Sequence, residues 1–550
     1  MSSPHPQRTS VANATDTGGI GRASALLASG TVVSRILGFV KLIVLAGIIG
    51  GFGDSADAFT LANQLPNTVY VIVAGGILTA VLVPQIVRSS LHADGGTAYI
   101  NKLLTIALVI LGATTLAATL LAPVITRIIG FPLEEEQLAL AIAFAFWCLP
   151  QIFFYGLYTL LGEVLNARKS FGPFTWVPVL NNIVAIAGLL VFGALFGADP
   201  NGERSATAFS PAMIALLAGT ATLGVAAQAL ALFYFWRRAG LRYRPDFHFR
   251  GVGLGAAGKM ASWTFGMLIL TTVAGIIETQ VALVATGKAS VFVLATAWLI
   301  FMLPHSVITV SVATAYFTRM SEHASRGMYD LVRTDASSAI RGTTLIIVLA
   351  SAVIGVCAYP FAAVFFGPFE QVQGAGNVIV AFILGLVAFC ILFVLQRTFY
   401  ALGDTRTPFF FTLFQFALIV AGVLACLLLP KDWIAVGIAL VVTVSGIAQT
   451  VLAAVLLHRR LGGIDARRIM GSLVKYLVAV LPPLALGLAV LWLLGGTQEG
   501  GFAVSGRLQA MTSMIAIGLV MSLGYFGMLL IMRSAELRAF LDPLRARFRR

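Results

Sequence analysis

Fourteen apolar stretches follow one another along this chain, at 24–50, 58–87, 101–126, 137–161, 174–197, 211–236, 258–286, 290–318, 340–366, 376–400, 408–429, 433–457, 472–495 and 509–532. A helix needs about 20 such residues to cross the hydrocarbon core of a bilayer. Inside that core every backbone N–H and C=O has to be bonded within the protein. A chain that offers the spanning length again and again is therefore a helical membrane bundle. The composition agrees: 59% of the 550 residues are hydrophobic, 11% are charged, and the mean hydropathy is +0.94, whereas a soluble domain carries roughly 25% charged residues. The expected fold is an all-α polytopic membrane protein with 14 transmembrane helices.

The net charge of +14 would suggest nucleic acid in a soluble chain. Here the basic residues lie between apolar stretches and follow the positive-inside rule instead. Of the 36 Lys and Arg residues, Arg127, Arg204, Lys288, Lys431 and Arg507 fall in one set of alternate loops. Arg35 and Lys41 lie within the first span, and the other 29 fall in the opposite set. This places the chain in the cytoplasmic membrane with an even number of spans and both termini on the cytoplasmic side. Cys148, Cys357, Cys390 and Cys426 all lie in apolar stretches without metal-ligand spacing. No nucleotide-binding loop, HExxH pattern or nucleophile–base pair is present. The chain reads as a transporter rather than an enzyme, with no cofactor and no identifiable ligands for a coupling ion.

An internal repeat organises the spans. The stretch Leu161–Asn182, LGEVLNARKSFGPFTWVPVLNN, is answered about 234 residues later by Leu395–Gln415, LQRTFYALGDTRTPFFFTLFQ. The triplet Leu65-Pro66-Asn67 is answered by Leu303-Pro304-His305. An even number of spans per repeat gives parallel repeats about an axis along the membrane normal. The expected organisation is a cytoplasmic tail (1–23), an N-lobe of six spans (24–236), a cytoplasmic linker (237–257), a C-lobe of six spans (258–457), two further spans (458–532) and a basic tail (533–550). The two lobes are pseudo-symmetric, and repeated lobes of this kind place a site between them.

Charges within spans are the candidate site residues, because each costs a few kcal/mol unless it is paired or hydrated. Arg35 lies eleven residues into the first span, roughly 16 Å deep. Lys41 follows six positions later, about 120° around the helix. Either a wide aqueous cavity holds both, or ion pairs do, with Glu278 a candidate partner for Lys41 and Glu163 for a pair near the inner face. Arg35 has no evident deep acidic partner. Asp57 begins the second span, either as a residue favoured by the dipole of its own helix or as a gate. Pro66 permits a bend beside Gln64 and Asn67. Gly75 and Gly76 add either a second flexible point or close packing.

These residues carry a family resemblance. SRILGFVK at Ser34–Lys41, ADAFTLANQLPN at Ala56–Asn67, AGGILTAVLVPQIVR at Ala74–Arg88 and FYALGDTRTP at Phe399–Pro408 resemble the MurJ (MviN) family. Its members are lipid II flippases of the multidrug/oligosaccharidyl-lipid/polysaccharide exporter superfamily. WLIFMLPHSV, from Trp298, resembles the high-GC Gram-positive branch. The resemblance implies transport of an undecaprenyl-pyrophosphate-linked peptidoglycan precursor, lipid II, from the inner to the outer leaflet by alternating access. It implies that Arg35 and Lys41 attract the pyrophosphate, with Gln64 and Asn67 as hydrogen-bonding partners for the head group. It implies a lipid-tail groove at the last two helices, and as partners lipid II, membrane lipids and cell-wall synthesis and division proteins. Lys41 stands where many members have Arg. Tyr70 and Leu299 stand at or next to positions where the family is basic, so this cavity is less basic than in other members. The rival readings are a flippase for another polyprenyl-pyrophosphate glycan, a MATE-type drug or cation antiporter, and a non-transporting cell-wall scaffold. The basic character of Arg35 and Lys41 argues against the antiporter, and the unpaired Arg35 against the scaffold.

Overall fold

The computed structural model describes residues 17–73, 97–168, 170, 172–241, 243–247 and 258–538, and among them there are helices and no strand. The first part of the chain forms α1 (Thr17–Ile49), α2 (Asp54–Val73), α3 (Thr97–Leu120), α4 (Ala122–Ile129), α5 (Glu135–Cys148), α6 (Gln151–Ala167), α7 (Gly172–Phe196) and α8 (Pro211–Arg238). The next part forms α9 (Gly258–Leu283), α10 (Val291–Pro304), α11 (Val310–Ser325), α12 (Tyr329–Val356), α13 (Ala358–Phe365), α14 (Phe369–Ile383), α15 (Leu386–Ala401), α16 (Arg406–Ala425) and α17 (Lys431–Leu461). A final pair follows, α18 (Ala466–Leu493) and α19 (Arg507–Ile531).

Among the described residues, twelve helical segments are long and apolar enough to cross a membrane, and the bent pair α14–α15, turned by 41°, makes thirteen. The remaining expected span, 58–87, is described only as far as Val73, so the count of fourteen is not reached among the described residues. Gly75 and Gly76, most of the 1–23 tail, the end of the 237–257 linker and the tail beyond 538 lie outside the described residues. The expected span 340–366 also differs from what forms. Its helix begins at Tyr329 and ends at Val356, and α13 follows as a separate piece. The extension is polar, with Asp330, Arg333 and Asp335, and continues the helix past the apolar stretch.

Local chemistry sets the breaks. Pro150 separates α5 from α6 within one 32-residue span. Pro304 ends α10, and the backbone passes through a π-turn, His305–Thr309, before α11 continues the same 35-residue span; a proline cannot donate the bond that a straight helix needs there. Asp404 starts α16 by accepting from Thr407 N (2.9 Å) and Thr407 Oγ1 (2.7 Å). α17 closes on Gly462 at φ 65°, with His458, Arg459 and Arg460 in its last turn, where cations meet the negative end of the helix dipole.

Helix pairing recurs along the chain. α7 packs on α1 and α8, and α16 on α9 and α17; α2 packs on α5 and α6, and α10 and α11 on α14 and α15. α18 and α19 pack on each other and against α12 and α13. At the end of the bundle where α1 finishes and α10 starts, one apolar core runs across both halves and includes Ile49, Phe59, Phe144, Phe292 and Phe366. At the opposite end the core divides. One cluster belongs to the first half, around Leu104, Leu161 and Trp236, and another to the second, around Leu395, Phe399 and Phe411. The bundle is thus joined at one end and parted at the other.

Candidate functional site

α1 carries two cations into the first half, and it sends them to different places. Lys41 is half-buried and borders a cavity of about 70 Å³ inside that half, with Asn63, Gln151, Tyr155 and Asn181. Gln151, fully buried, donates from Nε2 to Asn63 Oδ1 (3.2 Å) and Thr222 Oγ1 (3.0 Å) and accepts from Tyr155 OH (3.0 Å). The ammonium therefore faces amide and hydroxyl groups and no carboxylate. Arg35 borders a separate cleft of about 330 Å³ with Ser34, Tyr158, Phe174 and Thr175. Its Nε is buried without a hydrogen-bond partner, and it makes no ion pair among the described residues. Across the gap, within electrostatic reach of Arg35, lies His305. That imidazole is buried edge-on between Phe389 (4.8 Å) and Phe393 (5.0 Å), with Nδ1 3.5 Å from Cys390 Sγ.

The two cations do not share one wide cavity, and Lys41 does not pair with Glu278. The six-residue spacing that turns Lys41 about 120° from Arg35 sends it into the first half. Glu278, on α9, instead lines a cavity of about 500 Å³ between the halves with Gln64, Thr271 and Gln415. An adjoining cavity of about 580 Å³ is bordered by Gln64, Asn67 and Thr68 of α2 and by Thr272 and Thr279 of α9. Pro66 is buried and Asn67 exposed, so the expected hydrogen-bonding pair Gln64 and Asn67 does meet in one cavity, away from Lys41. Tyr70 turns inward, its hydroxyl 2.6 Å from Thr159 Oγ1.

Asp57 is buried in the first turn of α2, and it also reaches a second helix. Its Oδ1 accepts from the backbone N–H of Phe292 (3.3 Å), in the first turn of α10. Ser290, at the N-cap position, gives that helix no side-chain cap and donates instead to Ala282 O (2.8 Å). A carboxylate from the first half thus caps a helix of the second, where the positive end of the dipole favours it. Around it, Phe52 packs edge-on to Phe366 at 5.3 Å, Gln280 Nε2 donates to Ile128 O (2.8 Å) and Gln371 Nε2 to Asn201 O (3.3 Å). These bonds form the joined end.

A family model described as lipid II flippase MurJ matches residues 46–509. The chain belongs to the MurJ family. Among curated MurJ relatives, a probable lipid II flippase MurJ of Rickettsia prowazekii (strain Madrid E) is 26% identical over 411 residues, 72% of this chain and 76% of that one. Another of Rhizobium meliloti (strain 1021) is 26% identical over 482 residues, 85% and 86%. Among solved structures, a lipid II flippase MurJ in an inward closed conformation superposes with a TM-score of 0.69 at 17% identity, covering 94% of this chain and 99% of that one. An inward-facing MATE family multidrug transporter of the MOP superfamily gives 0.62 at 15%, covering 79% and 96%. The chain is thus a multi-pass membrane protein of a flippase family.

Sequence reasoning missed Asn63, Gln151 and Tyr155 around Lys41, the Thr222 that bonds Gln151, and His305 opposite Arg35. Gln151 after Pro150, in the middle of an apolar run, was the available signal. Among the described residues no group of three or more His, Cys, Asp or Glu could hold a metal ion. The four cysteines are free and buried. An apolar groove of about 630 Å³ runs between α12, the α14–α15 bend and α18, bordered by Val348, Leu384, Val387, Leu477 and Leu481.

Proposed function

We propose that this chain carries lipid II, the undecaprenyl-pyrophosphate-linked peptidoglycan precursor, from the inner to the outer leaflet of the cytoplasmic membrane, without covalent chemistry. The observation that carries the proposal is Arg35, a guanidinium within the bundle with a buried, unbonded Nε and no carboxylate partner among the described residues. A planar fork of donors left unspent suits a pyrophosphate, which it grips at two oxygens. Lys41 adds positive potential from inside the N-lobe, and Gln64, Asn67 and Glu278 present hydrogen-bonding groups to the sugar and peptide. The apolar groove beside α18 receives the polyprenyl tail.

The working parts in this reading are two six-helix lobes, 24–236 and 258–457, that rock about the membrane normal. Both termini face the cytoplasm, so the parted end is inward and the joined end outward. Asp57 latches the outward end through the α10 N-terminus. Each net charge moved across the membrane is worth about 2.3 kcal/mol per 100 mV, so the membrane potential is a sufficient drive for part of the cycle.

The test is Arg35→Ala in cells where this chain is the sole flippase, with protein level and lipid II flipping measured together. The proposal expects normal abundance and abolished flipping, with Arg35→Lys recovering a part. Normal flipping at normal abundance overturns it.

A further inference from the structure

Glu163 and Arg397 stand exactly one repeat, 234 residues, apart, and the helices that hold them obey the same offset. α6 ends at Ala167 and α15 at Ala401; the next helices start at Gly172 and Arg406. The repeat gives the two residues equivalent places at the inner ends of equivalent helices, with opposite charge. Both lie at the parted end, beside the separate clusters that hold Val164 and Leu165 in one half and Leu395 and Phe399 in the other.

Their surroundings aim them toward the gap. Thr159, one turn before Glu163 on the same face of α6, contacts Tyr70 of α2, and Glu163 itself lies within electrostatic reach of that tyrosine. Phe393, one turn before Arg397 on α15, packs against His305, and the Arg397 guanidinium sits over the rings of Phe393 (5.0 Å) and Phe317 of α11 (5.6 Å). α2 borders the cavity between the halves, and α11 continues the span of α10, which borders it too. Both side chains are half-buried, and neither has an ion-pair partner among the described residues. The nearby carboxylate Asp404 is already occupied with the start of α16. Two half-buried, opposite, unpaired charges are unfavourable as they stand. An axis along the membrane normal brings equivalent positions face to face when the ends approach.

We propose that Glu163 and Arg397 pair with each other across the lobe interface when the inner end closes, and that this ion pair stabilises the state open at the outer end. The proposal rests on the alternating-access reading for its place in the cycle. The pair converts a pseudo-symmetric approach, which would bring like charges together had the repeat been kept, into an attraction. Aromatic packing pre-orients the guanidinium, so less freedom is lost when the pair forms.

The test uses the full chain in native membranes, with Cys148, Cys357, Cys390 and Cys426 replaced and Glu163→Cys and Arg397→Cys introduced. A protease site at the exposed turn after Arg238 lets a cross-link between the halves be read as resistance to separation. The expected result is a cross-link whose yield rises when Asp57→Ala releases the opposite end. No cross-link in either background overturns the proposal, whether or not the chain flips lipid II. Flipping is measured in parallel: Glu163→Arg should lower it about tenfold, a typical size for a coupling free energy between sites. The exchange of both charges, Glu163→Arg with Arg397→Glu, should restore most of it. An exchange no better than the single variant also overturns the pair. Cross-linking with no flipping in any version retains the gate and removes the lipid II reading.

Discussion

Arg35 and Arg341 are both guanidiniums within the folded protein, and among the described residues only Arg341 has a carboxylate partner. Arg341 Nη1 meets Glu536 Oε1 at 2.6 Å, with side chains 10% and 16% exposed, and Glu536 also accepts from Ser472 and Ser534. That arrangement is a structural tie between α12 and the segment after α19. Removing one partner strands the other, at a cost of order 3 kcal/mol. Arg341→Ala should therefore lower protein level and thermal stability in detergent, and the double variant Arg341→Ala with Glu536→Ala should regain part of both. Burial disfavours the Glu536 carboxylate, but its own backbone N–H, Arg341 and Ser534 outweigh it and hold the carboxyl below the usual carboxylate range. A depressed folded value means that the tie is at full strength above the ordinary carboxylate range and weakens as the pH falls through the folded value. The melting temperature of the wild type should thus drop toward acid more steeply than that of the double variant. At Lys41 the charge faces amides within a small cavity. Lys41→Arg should retain flipping and Lys41→Met reduce it, at unchanged abundance in the second case because no carboxylate is left behind. That Arg35 has no carboxylate partner among the described residues was legible in the sequence, since so few acidic residues lie within the apolar stretches. The company of Lys41 was not, because Asn63, Gln151 and Asn181 come together only when three helices pack.

Among the elements, α10 shows how far a local reading reaches. Its start could be placed from the sequence within a residue or two, and the proline that ends it gave the π-turn a visible cause. What caps it could not be placed, because the carboxylate comes from 235 residues earlier. A capping carboxylate changed to Ala costs about 1 kcal/mol and changed to Asn very little. Asp57→Ala should then loosen the joined end several-fold while Asp57→Asn retains it. A cysteine at the buried Ala289, in a chain without the native cysteines, reads this as the rate of labelling by an impermeant thiol reagent. Faster labelling in Asp57→Ala alone is the expected outcome; equal rates in both variants and the wild type would remove the latch. Span positions were legible because a backbone in lipid must bond within the protein, and apolar runs of about 20 residues suit a helix rather than the shorter strands of a barrel. The polar extension of α12 was not, since hydropathy marks where a helix crosses apolar surroundings and says nothing of where it ends in water.

For the whole molecule, the joined end and the parted end together describe one state of a carrier. A single apolar core joins the halves at one end, and separate clusters hold each half at the other. The repeat read from the sequence is visible in the helix boundaries near Glu163 and Arg397 and in the helix pairings that recur between the two halves. The central claim is that this bundle carries a pyrophosphate-linked lipid between leaflets. Its most direct measurement is made in cells that depend on this chain alone. The chain is depleted, and lipid II is quantified both in total and as the fraction open to an impermeant probe outside. The account predicts that the outer fraction collapses while total lipid II rises. An outer fraction that holds steady through depletion would contradict it.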